Sequence, residues 1–70
     1  EPKLTGREVQ ILQLLVEGQT DREIGQELNL AERTVRYCLR NIYDKLRVAN
    51  RTEAAYRASQ LRLGANSHEG

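Results

Sequence analysis

The sequence has no tryptophan, phenylalanine or methionine, a single cysteine and a single histidine, and its charges nearly cancel to a formal +1. Each shortage excludes something. Cys38 alone cannot close an intrachain disulfide, which fits a reducing compartment and a cytoplasmic location. His68 stands in a polar C-terminal stretch with no second ligand nearby, so no metal site is expected. No apolar run approaches the roughly 18 residues of a membrane-spanning helix. No signal-peptide, transit or lipidation pattern opens the chain. A Gly-rich phosphate loop, an activated nucleophile and paired carboxylates in a plausible cleft are all missing, so neither an enzyme nor a cofactor is expected. β-Branched alternation is absent as well, which together with the missing Phe and Trp removes any strand signal.

What is present describes one small domain. Its 70 residues are 39% hydrophobic and 30% charged, too apolar for a disordered chain. A domain of this size buries only about 60% of its unfolded surface, so its core must be efficient or helped by a partner. Residues 1–64 are expected to fold and residues 65–70 to form a frayed polar tail.

The chain divides at its helix caps. Thr5-Gly6-Arg7-Glu8 is a capping box, in which Thr5 accepts from the N3 amide and Glu8 reaches back to the cap. Behind it Val9, Leu12, Leu15 and Val16, widened by Ile11 and Leu14, form an apolar face that Gly18 terminates. Thr20-Asp21-Arg22-Glu23 is a second capping box; it opens a short helix with Ile24 and Leu28 inward and Asn29 as a left-handed C-terminal residue. A third helix is predicted from about Glu32 to Leu46, with Val35, Leu39, Ile42 and Leu46 as its buried stripe. Asn50 caps a fourth, with Glu53 at N3, small apolar residues Ala54, Ala58 and Leu61, and Gly64 as its end. The fold class expected is all-α, a compact four-helix domain.

Only Asn29-Leu30-Ala31 separate the second and third helices, and so short a link imposes the wide crossing of a helix-turn-helix unit. Gly25 allows close approach, Asn29 turns the chain, Leu30 plugs beneath it, and Val35 with Cys38 or Leu39 anchors the second member. Arg33, Arg36, Tyr37, Arg40, Asn41, Asp44 and Arg47 lie away from the apolar stripe of helix three. Arginine can fork onto guanine O6 and N7 or onto phosphate, Asn can pair with adenine, and Tyr37 can add a hydroxyl contact or meet a thymine methyl. The alternative is a charged face that serves solubility alone.

The distribution of charge weighs against that alternative. Residues 1–32 hold three basic and seven acidic side chains, residues 33–51 six basic and one acidic, and residues 52–70 two of each. The balance is −4, +5 and 0 along the chain. Phosphate attraction depends on the local charge that faces a duplex, not on the total.

Leu4-Thr5-Gly6-Arg7-Glu8, Gly18, Thr20 to Gly25, Leu28, Thr34-Val35-Arg36, Lys45-Leu46 and Asn50-Arg51 together resemble the C-terminal DNA-binding domain of LuxR-type transcriptional regulators, the group of the NarL/FixJ response regulators and GerE. The resemblance covers about residues 4 to 62. It implies a helix-turn-helix whose third helix enters the major groove of double-stranded DNA and whose fourth supports dimerisation. By position, Arg36, Tyr37 and Arg40 match base contacts, and Thr20, Arg22, Arg33, Thr34 and Lys45 match or adjoin phosphate contacts. Ala55, Tyr56 and Leu63 are candidates for the dimer surface. Three positions depart from the family's pattern. Asp21 stands where Asn is frequent and either weakens a phosphate contact or caps the helix. Ala31 replaces a Ser/Thr cap, at about 1 kcal/mol. Cys38 replaces a frequent His.

The implied activity is sequence-specific DNA binding as the output domain of a bacterial regulator, of the response-regulator kind in a two-component system, excised from a longer chain. A homodimer on an inverted-repeat operator is the expected assembly, with RNA polymerase as a possible partner. Two rivals remain open, a helical protein-interaction module and a sigma-factor-like domain. For Cys38 a half-buried packing role is weighed against a redox switch. Arg51 is divided between DNA and a structural bond to a helix end or carboxylate, and Tyr43 and Tyr56 are read as core or dimer-surface aromatics.

Overall fold

Three of the four helices start on a side chain that accepts from the N3 amide. The computed structural model describes residues 3–61 and contains, among them, α1 (Gly6–Val16), α2 (Asp21–Leu28), α3 (Glu32–Leu46) and α4 (Arg51–Gln60), with no strand. At α1 the Thr5 Oγ1 accepts from the Glu8 amide at 3.1 Å, and the Glu8 carboxylate accepts from the Thr5 amide at 2.8 Å. Thr20 and Glu23 repeat the arrangement at α2 with the same two distances. Asn50 caps α4 by accepting from the Glu53 amide at 2.9 Å. The start of α3 has no side-chain cap, because Ala31 has nothing to offer.

The turn between α2 and α3 follows the expected chemistry. Asn29 adopts the left-handed conformation (φ 61°, ψ 47°), and the Leu30 amide donates to the Gly25 carbonyl at 2.7 Å. A Cβ on Gly25 would stand 2.6 Å from the Leu30 carbonyl oxygen and 3.5 Å from a Val35 methyl. The missing side chain therefore lets the turn fold down against the helix. A second left-handed residue, Arg47 (φ 58°), ends α3 and carries no sequence signal, since Gly or Asn usually takes that place.

Ile11, Leu12, Leu15, Ile24, Val35, Leu39, Ile42, Leu46, Ala54 and Ala58 form one buried core, against which Leu28, Leu30, Cys38 and Tyr43 pack half-buried. The stripe foreseen on α3 is buried in full. The α1 face is turned from its expected centre: Glu8, Ile11, Leu12 and Leu15 are buried, while Val9 is only half-buried. A carboxylate can occupy the inner face because its charge is answered there, as described below. Leu61 is the other correction. The helix closes at Gln60, and Leu61 at the cap is 50% exposed rather than part of the α4 core. Leu63, Gly64 and the tail 65–70 lie outside the described residues, as does His68.

Candidate nucleic-acid interface

α3 buries one stripe, so its opposite side is exposed. Arg33, Arg36, Tyr37 and Arg40 come together there, lining one open groove of about 540 Å³ with Asp21, Leu39 and Tyr43. Tyr37 is 65% exposed, which leaves its ring and hydroxyl open to a ligand on this face. Arg36 donates through Nη1 to the Glu32 carboxylate at 2.9 Å, one helical turn back, with both side chains about half exposed. Nothing in the residue-type reading singled out Glu32, although its spacing of four from Arg36 was the available signal.

A second hollow lies at the start of α2, where Thr20 and Arg22 stand with Gly18, Gln19, Asp21, Glu32 and Arg51. The Thr20 hydroxyl accepts from the Glu23 amide, which leaves its O–H free to donate. Asp21 borders both hollows. Its carboxylate accepts from Arg51 Nη1 at 2.7 Å, and Arg51 Nη2 also donates to the Gln19 carbonyl. Arg51, at the first position of α4, thus takes the structural role and neutralises the acid on the basic face. Tyr43 packs beside this pair: burial raises its phenol above the usual range, with Asp21 adding to the rise and Arg51 opposing it.

Thr34 and Lys45 line neither hollow. Thr34 is half-buried in the first turn of α3. Lys45 donates from Nζ to Glu8 Oε1 at 2.7 Å and to the Lys3 carbonyl at 3.1 Å, joining the end of α3 to the start of α1. Burial works to raise the Glu8 carboxyl, but the hydrogen bonds from Lys45 and Thr5 and the charge of Lys45 bring it below its ordinary value. On α4, Ala55 is half-buried and Tyr56 is 68% exposed. Cys38 is a free, half-buried thiol packed against the core.

Residues 2–58 match the family described as bacterial regulatory proteins, luxR family. The chain belongs to the luxR family. The transcriptional regulatory protein LiaR of Bacillus subtilis is 47% identical over 60 residues, which cover 86% of this chain and 28% of LiaR. The HTH-type transcriptional regulator MalT of Vibrio cholerae is 45% identical over 58 residues, 83% of this chain and 6% of MalT. Among solved structures, the response regulator ChrA of a heme-sensing two-component system superposes with a TM-score of 0.84 at 43% identity, covering 90% of this chain and 31% of ChrA. The transcription factor GerE superposes at 0.81 and 35% identity, covering 93% and 97%. The luxR-family chain thus spans under a third of LiaR and ChrA and nearly all of GerE. Its four helices have the fold of GerE, and the family's domain is one of DNA-binding transcription regulation. Among the described residues no helix is long and apolar enough to cross a membrane.

Proposed function

We propose that this domain binds double-stranded DNA sequence-specifically, with α3 in the major groove, as the cytoplasmic output domain of a bacterial transcriptional regulator. The observation that carries the reading is the convergence of Arg33, Arg36, Tyr37 and Arg40 on the exposed side of the second helix of a helix-turn-helix. Arg36, Tyr37 and Arg40 read base edges, and Arg33, Thr34, Thr20 and Arg22 hold phosphates, helped by the amides that open α2. Lys45 is assigned to phosphate as well, with the one N–H that remains after its two internal bonds. Likeness to the response regulator ChrA supports a place in a two-component system.

Two copies pair through α4, with Tyr56, Ala55 and Leu63 at the contact, on an inverted repeat whose halves lie about one helical turn apart. RNA polymerase is the partner implied for a regulator so placed. The test is selection of duplexes from a randomised pool, followed by titration at several salt concentrations. The expected result is an enriched palindromic site and affinity that falls steeply with salt. A protein-interaction module would show no duplex binding even at low salt, and that outcome would overturn the proposal.

A further inference from the structure

Glu32 is an acid beside the basic face of α3, one helical turn from a residue placed on base edges. Three features define its position. It lies in the first turn of α3, where the uncapped helix start favours a negative charge. Its carboxylate accepts from Arg36 Nη1 at 2.9 Å. It also lines the hollow at the start of α2, next to the hollow that holds Arg36.

A free arginine on a surface samples many rotamers, and each must be surrendered when it meets a base. Held by one N–H, the Arg36 guanidinium gives up part of that freedom beforehand. The planar group has five N–H donors in a fixed fork, so the bond to Glu32 leaves the edge formed by Nε and Nη2 unused. That edge matches the O6 and N7 acceptors of guanine in the major groove. The Glu32 carboxylate also repels a phosphate that approaches Arg36 out of register, which disfavours backbone contact by this side chain.

We propose that Glu32 is a positioning residue for base recognition: it orients Arg36 toward guanine and withholds it from phosphate, raising the discrimination of the domain between its site and random DNA. The inference rests on the reading of Arg36 as a base contact.

The test compares the wild-type chain, Glu32→Gln, Arg36→Ala and the double variant. Each is titrated on the duplex that wild type selects, on single-base variants of that duplex and on a random duplex, at a temperature where thermal melts show all four folded. Glu32→Gln should lower the ratio of specific to random affinity about two- to fivefold, the range of one exposed ion pair. The loss of preference should fall at the same base pair where Arg36→Ala loses it, and Glu32→Gln should have no further effect on that preference in the Arg36→Ala background. A purely structural Glu32 would change the melting temperature and leave base preference alone, which overturns the inference. Equal change on both duplexes, or an effect on preference that persists without Arg36, overturns it too. If Arg36→Ala itself leaves preference intact, the base-contact reading fails and the inference falls with it; a silent Glu32→Gln beside an impaired Arg36→Ala defeats the inference alone.

Discussion

The Asp21 carboxylate and the Arg51 guanidinium meet at 2.7 Å across 30 residues of sequence, tying the start of α2 to the start of α4. The pair neutralises the one acidic residue that borders both hollows. Asp21→Asn should therefore leave Arg51 with an uncompensated charge beside the phosphate-facing surface. We expect random-duplex affinity to rise and the salt dependence to steepen by about 0.9, the increment of one phosphate contact. Because the pair is partly exposed, the accompanying loss of stability should be small, about 1 kcal/mol or less. Titrations against salt and a thermal melt check both halves.

The bridge between Glu8 and Lys45 contributes to acid stability. The carboxyl titrates below its ordinary value in the fold, so its contribution is present above the unfolded value of about 4.3 and is lost as pH falls through the folded one. Glu8→Gln should flatten the loss of stability below about pH 4.5. At neutral pH it should be destabilising by about 1–2 kcal/mol, through the lost bond to Lys45 and the weakened cap. Urea melts across pH 3 to 7 measure both effects.

Arg47 takes a left-handed conformation that glycine adopts without strain. Arg47→Gly should raise stability by about 1 kcal/mol and the melting temperature by about 4–8 °C for a domain of this size. A drop in melting temperature would show that the side chain makes a compensating contact.

Tyr56 leaves most of its surface to solvent on α4. Tyr56→Glu should abolish pairing of two protomers on an inverted repeat while leaving binding to an isolated half-site nearly unchanged. Sedimentation of the protein with one-site and two-site duplexes separates the two effects.

Much of the fold was legible because short-range chemistry dictates it. Thr5, Thr20 and Asn50 announce helix starts, Asn29 announces the turn, and the α3 stripe has the helical period without interruption. What stayed hidden depends on partners far apart in sequence. Glu8 looks like a capping residue only, and its burial follows from Lys45, 37 positions away. The same distance effect conceals the Asp21–Arg51 pair and displaces the expected face of α1. Leu61 misled because periodicity continues past the point where the helix closes. For the site, the basic face of α3 was readable from wheel positions and local charge. The Glu32–Arg36 pair was not legible there because Glu32 sits in the first turn of α3, where an acid also answers the helix start.

Comparison of Arg40→Ala with Arg22→Ala, on the duplex selected by wild type and on a random duplex, tests base reading by α3 most directly. Arg40→Ala should cost about 1–3 kcal/mol on the selected duplex, much less on random DNA, and relax the preference at one base pair. Arg22→Ala should weaken both duplexes alike and reduce the salt slope by about one. Equal loss on both duplexes for Arg40→Ala would contradict the placement of α3 on base edges.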